Sequence, residues 1–216
     1  MKLICFPHYT AGGLLCDIFN NMFSEQHLNG GLNNPYHSIG KIGDHATVMV
    51  DYDVNQLNNK IKQYIDTDVT IGTHCWPGQL NLDQFELTIN ITTATSRSRA
   101  YRWARAYHHY YVKSEPWTAV SGMDRIDKER ETAKNYLQPF LPVEHARCHN
   151  LEFSEIVDNT AEFQTLLQQQ DFLPHMDRWM GLNNFLYEPD FWNSAPMHRF
   201  HQAELETNLN KYYVYG

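Results

Sequence analysis

The chain has 216 residues, 42% of them hydrophobic and 19% charged, with a formal net charge of -8. That is long enough to bury a core and too apolar for a disordered protein, so one domain over residues 1–216, or one domain with a helical annex, is expected. The acidic balance argues against nonspecific binding to nucleic acid or to an anionic membrane, so any local cluster of basic residues stands out.

The first stretch is the most informative. Leu3 to Phe6 is a short apolar run of the kind a buried parallel strand shows, and Leu15, Ile18, Phe19 and Met22 recur directly afterwards at helical spacing. Strand, turn and helix follow with almost no spacer. The helix start therefore aims its free N–H groups, and the positive end of its dipole, just beyond the strand, where an anion fits. Gly12 and Gly13 let backbone approach such a ligand closely. No Gly-Lys-Ser/Thr occurs in this turn, which disfavours an ordinary ATP or GTP site.

Asn29 to Pro35 reads as a loop, prolonged through Gly40 and Gly43, and Thr47 to Val50 as a short strand. Asp53 is an expected N-cap for a helix over residues 53–65 with the stripe Val54, Leu57, Ile61 and Tyr64. Asp68 to Thr73 reads as the next buried strand and ends in His74-Cys-Trp-Pro77. Helix followed by apolar strand implies a parallel sheet whose ligands bind beyond the carboxyl ends of its strands, and His74 stands at such an end. A neutral imidazole there suits a general base, since its ordinary pKa lies near working pH. A structural hydrogen-bonding role is the alternative.

Phe85 to Thr93 is the third strand of this kind, followed by the loop segment Ala94 to Arg99 and then a helix to about Tyr111. Arg97, Arg99, Arg102 and Arg105 fall within nine positions there, beside Thr95, Ser96 and Ser98. In an acidic protein this is a second candidate anion site, because arginine forks and hydroxyls both donate to phosphate oxygens. A solvated basic helix face is the competing explanation. Val112 to Gly122 reads as loop, Met123 to Leu137 as a charged amphipathic helix, Asn150 to Ser154 as a short strand, and Asn159 as the N-cap of a helix carrying Phe163, Leu166 and Leu167. Beyond Asp171 come Trp179, Phe185, Tyr187, Phe191 and Trp192, suited to packing, an acceptor pocket or a subunit contact that leaves a homo-oligomer open. Ser194 is the expected cap of a last helix to about Asn208.

Cys5, Cys16, Cys75 and Cys148 show no paired metal spacing and no disulfide framework, so reduced thiols in a cytoplasmic protein are expected. Of the twelve histidines, His145 and His149 flank Cys148 and His108 adjoins His109, but neither set has a third partner at ligand spacing, and no metal is expected. His8, the glycines and Asp17 interrupt the N-terminal apolar run too early for a signal sequence. No stretch approaches the roughly 18 apolar residues of a membrane span.

Taken together, Pro7-His-Tyr-Thr-Ala-Gly-Gly-Leu-Leu15, Thr73-His-Cys-Trp-Pro77 and Thr95-Ser-Arg-Ser-Arg99 resemble, in order and rough interval, the sulfotransferases that use 3′-phosphoadenosine 5′-phosphosulfate (PAPS). The resemblance covers the first half of the chain. It implies a three-layer α/β domain of P-loop type with a central parallel sheet, PAPS as donor, and a small-molecule or glycan acceptor. It also implies that Thr10, Ala11, Gly12, Gly13 and Leu14 cradle the 5′-phosphosulfate and that His74 deprotonates the acceptor. Arg97 and Ser98, with Arg99 or Arg102, would hold the 3′-phosphate. The family's first loop carries a Lys or Arg that stabilises the leaving oxygen; here those positions read His8, Tyr9 and Thr10, so His8 takes the role or transfer is weak or absent. The rivals are a sulfotransferase-like binder of nucleotide or glycan without catalysis, and a phosphotransferase, which would need Mg²⁺ and a loop lysine.

Overall fold

The computed structural model describes residues 1–19, 41–42, 45–46, 49–50, 53–65, 67–113, 122–169 and 184–207. The chain divides into two compact units, residues 1–92 with 140–174, and residues 93–139 with 175–216. The strands are β1 (Lys2–Cys5), β2 (Lys41–Ile42), β3 (His45–Ala46), β4 (Met49–Val50), β5 (Thr70–Thr73), β6 (Leu87–Thr92) and β7 (Cys148–Glu152). The α-helices are α1 (Gly12–Phe19), α2 (Val54–Tyr64), α3 (Ser96–Tyr107), α4 (Gly122–Tyr136), α5 (Phe153–Val157), α6 (Ala161–Gln168), α7 (Pro189–Trp192) and α8 (Ala195–Thr207).

The first unit is an α/β fold built on a five-stranded sheet in the order β4-β5-β1-β6-β7. Every neighbouring pair in it is parallel. β2 and β3 form a separate antiparallel pair. Leu3, Ile4 and Cys5 are fully buried, as the apolar run requires of a central strand. Cys5 stands between Thr73 of β5 and Asn90 of β6. From β1 the chain first supplies β4 and β5 on one side and later β6 and β7 on the other. The direction of growth thus switches at β1, and in open parallel sheets ligands bind beyond the strands' carboxyl ends at such a switch.

Leu57 and Ile61 of α2 pack on Leu3, Cys5, Ile71, Cys75, Leu82 and Phe85 in one core cluster. The carboxylate of Asp53 caps α2 by accepting from the amides of Asn55 and Gln56, 2.8 and 3.1 Å away. None of the four cysteines forms a disulfide. Burial pushes the Cys148 thiol up to about 11. Burial also raises the Cys5 thiol well above its ordinary range, with the neighbouring Cys148, Cys75 and Cys16 adding to the effect.

The second unit centres on α3, which is buried from Ser98 through Ala106 and packs against α4 and α8. Trp103 and Phe200 are fully buried and stack with ring centroids 6.2 Å apart. The expected helix to Tyr111 is α-helical to Tyr107 and then widens into a π-helix, His108–Lys113.

Two expected boundaries move. The strand predicted over Asn150–Ser154 lies at Cys148–Glu152, because the Glu155 carboxylate accepts from the Glu152 amide at 2.6 Å and starts α5 there. The predicted cap Asn159 instead takes a left-handed φ of 52°, and Thr160 caps α6. The loop read over Asn29–Pro35, the Pro116-Trp117 segment and Trp179 lie outside the described residues. Among the described residues no helix is long and apolar enough to cross a membrane.

Candidate functional site

β1 delivers its chain into a turn that reverses twice. Tyr9 and Ala11 hold φ values of 67° and 63°, the left-handed region, with Thr10 of ordinary hand between them. A non-glycine residue there costs roughly 1–2 kcal/mol, so the surroundings must impose it. Alternating left- and right-handed residues form the concave backbone arrangement that gathers successive N–H groups around an anion. The Thr10 hydroxyl is fully buried and donates to the Pro7 carbonyl at 2.7 Å, closing the turn. Thr10 and Gly12 are buried, whereas Ala11 and Gly13 are partly exposed.

α1 begins where this turn ends. Its first intrahelical bond runs from the Leu15 amide to the Ala11 carbonyl at 3.2 Å, so Gly12, Gly13 and Leu14 supply the first-turn amides. Asp53, Thr95 and Thr160 cap α2, α3 and α6 with side-chain oxygens. Ala11 has no such oxygen to give. Gly12 is required sterically, since a Cβ there would overlap the Phe6 ring, whereas Gly13 has open space.

His74 follows β5 directly and is 6% exposed. Its Nδ1 lies 2.7 Å from the Phe6 carbonyl. A carbonyl only accepts, so Nδ1 carries the proton and a neutral ring is left with Nε2 as its basic nitrogen. Phe6 also meets the imidazole edge to face, with centroids 4.6 Å apart. The exposed His8 ring tilts over His74 at 3.8 Å between centroids. The ends of β1 and β5 therefore bring His8, His74 and the Thr10–Leu14 turn together, held by Phe6. Sequence reasoning passed over Phe6, whose role depends on a carbonyl 68 positions before its histidine.

The second cluster belongs to the other unit. Thr95 caps α3 by accepting from the Ser98 amide at 3.1 Å, and Ser98 itself is fully buried. Arg97 is exposed, with Nε and Nη2 at 3.1 and 2.8 Å from the Tyr101 hydroxyl. Arg99 is 1% exposed and bonds the Glu204 carboxylate at 2.8 Å and the Ala94 carbonyl. The Ser96 hydroxyl donates to the same carboxylate at 2.7 Å, and the His201 ring lies 3.8 Å from it. Burial raises the Glu204 carboxyl, but bonds from His201, Ser96 and Arg99 outweigh it and hold the group at about 2. Arg102 is buried against the Tyr136 ring, its guanidinium carbon 4.9 Å from the centroid. Arg105 is buried too.

The row of arginines is thus divided, with Arg97 presented outward and the others serving the unit's interior. The missed partner is Glu204, more than a hundred residues away, with no local signal to announce it. Among the described residues no three His, Cys, Asp or Glu side chains gather as a metal site would need. Set against protein-family models, curated proteins and solved structures, the chain matches none of them.

Proposed function

We propose that the chain is a transferase that moves a sulfuryl group from PAPS to a hydroxyl or amine acceptor, on a three-layer scaffold of P-loop type. The observation that carries this reading is the pairing of a tautomer-fixed His74 with a strained turn whose helix starts without a side-chain cap. In this reading the amides of Thr10, Ala11, Gly12, Gly13 and Leu14 take the 5′-phosphosulfate. His74 Nε2 takes the proton of the acceptor as its oxygen or nitrogen bonds to sulfur, and the sulfur's bond to the bridging oxygen breaks. His8 faces the charge that develops on that oxygen, in place of a Lys or Arg. By the resemblance, Arg97 is the counterpart of the family's 3′-phosphate ligand. Ser98, Arg99 and Arg102 support that turn from inside the unit, Arg99 through Glu204.

One observation favours a second reading. Residues 7–14 contain no Lys or Arg, which suits a protein that binds nucleotide or glycan without transferring anything. Thermal unfolding with adenosine 3′,5′-bisphosphate and with ATP-Mg²⁺ separates this scaffold from a phosphotransferase, because a ligand of the folded state alone raises the midpoint. The bisphosphate is expected to raise it and ATP-Mg²⁺ to leave it unchanged. Incubation with sulfate-labelled donor and mixed acceptors then separates transfer from binding. His74→Ala is expected to lower transfer by about 10²-fold or more while leaving bisphosphate binding intact. Unchanged transfer in that variant removes His74 as base.

A further inference from the structure

Trp76 stands two residues beyond His74, at the carboxyl end of β5, and is 38% exposed. It is nonetheless held in place. Its Nε1–H donates to the Leu141 carbonyl at 3.3 Å. A Cβ on Gly78 would run into the far edge of the indole, so the ring lies close along that backbone.

The Leu141 carbonyl is itself fixed by a part-buried amide ladder. Asn90 on β6 is fully buried and faces Asn150 on β7 in register. The Asn90 Nδ2 group donates to the Leu141 carbonyl at 3.0 Å and to Asn150 Oδ1 at 2.8 Å. Asn150 in turn accepts from the Val143 amide at 3.0 Å and donates to the Val143 carbonyl at 2.9 Å. Asn90, buried on β6, and Asn150, half-buried on β7, thus set the position of a half-open indole two residues beyond the candidate base. Core packing does not ask for this arrangement, since the exposed part of the ring buries nothing.

We propose that Trp76 is a stacking platform for a neutral pyranose sugar. That this sugar is the acceptor rests on the transferase reading; the binding role does not. A fixed aromatic ring has already lost its rotamer freedom on folding, so a ligand gains the stacking without that cost. The C–H face of a pyranose carries slight positive charge and meets the negative face of the indole. In the turns that follow, exposed Gln79 and the Nδ2 group of Asn81, whose Oδ1 accepts from the Asp83 amide, offer polar partners to ring hydroxyls. A phenol would call for an enclosed apolar slot instead.

The test titrates chitotriose, cellotriose, maltotriose and nitrophenol into the full chain by calorimetry, with Trp76→Leu and Trp76→Phe alongside. Both variants keep an apolar side chain for folding, and only phenylalanine keeps a π face. At least one trisaccharide is expected to bind, about tenfold or more weakly to Trp76→Leu and within about threefold of wild type to Trp76→Phe. Adenosine 3′,5′-bisphosphate binding is expected to be equal in all three. The platform is overturned if no trisaccharide binds, if Trp76→Leu binds it as wild type does, or if nitrophenol binds in its stead. Sugar binding that follows Trp76 while the bisphosphate binds no form removes the PAPS assignment and leaves the platform standing.

Discussion

The residue on which the candidate site turns is Phe6. Its carbonyl sets the His74 tautomer, its ring packs on the imidazole, and the same ring occupies the space a Cβ at position 12 would need. Two effects of opposite sign therefore meet at Gly12→Ala. Helix propensity favours alanine by up to about 1 kcal/mol. Overlap with a buried aromatic ring costs about 1–3 kcal/mol, because Phe6 cannot move without disturbing His74. Overlap wins, so Gly12→Ala is expected to lower the unfolding free energy and, with it, the proposed nucleotide binding. Gly13→Ala, with open space around it, is expected to be neutral or to stabilise by up to about 1 kcal/mol. Urea unfolding of both variants measures this; equal effects at the two positions would exclude the Phe6 contact as the cause. The glycine pair was visible in the sequence as a turn signal. Which glycine was sterically required was not, because the answer depends on where Phe6 points.

At the scale of elements, what was legible followed period and capping chemistry. β1, β5 and β6 announced themselves as apolar, β-branched runs, and α2 as an amphipathic stripe behind an aspartate cap. α3 was legible as a helix and misleading as a surface. Its arginines read as one candidate anion site, yet Arg99, Arg102 and Arg105 are buried, and Glu204 and the Tyr136 ring meet the first two from elements far along the chain. The Glu204 link has a pH signature. Its folded carboxyl lies at about 2 against 4.5 when unfolded, so its stabilisation is full above pH 4.5 and is lost as pH falls toward 2. With the side chain 17% exposed and Arg99 nearly buried, wild type is expected to exceed Glu204→Gln by roughly 2–4 kcal/mol at pH 6. The gap should close on acidification. A difference constant from pH 6 to pH 2 would show that the carboxylate carries no such link.

For the whole molecule, the chain builds most of its sheet, leaves at Thr93 for a helical unit centred on α3, and returns at Phe140 to add β7. A sequence reading that follows local period sees the alternation of strand and helix but not this division, which depends on contacts between distant segments. The net charge of -8 means that anion binding must come from local donors rather than from the overall field. The central claim is that the amides of Thr10 to Leu14 are such donors. Backbone amide NMR during titration with adenosine 3′,5′-bisphosphate tests it most directly. The account predicts saturable shifts at Thr10, Ala11, Gly12, Gly13 and Leu14 that share one midpoint. Binding that leaves the Thr10–Leu14 amides unmoved, or no binding at all, would contradict it.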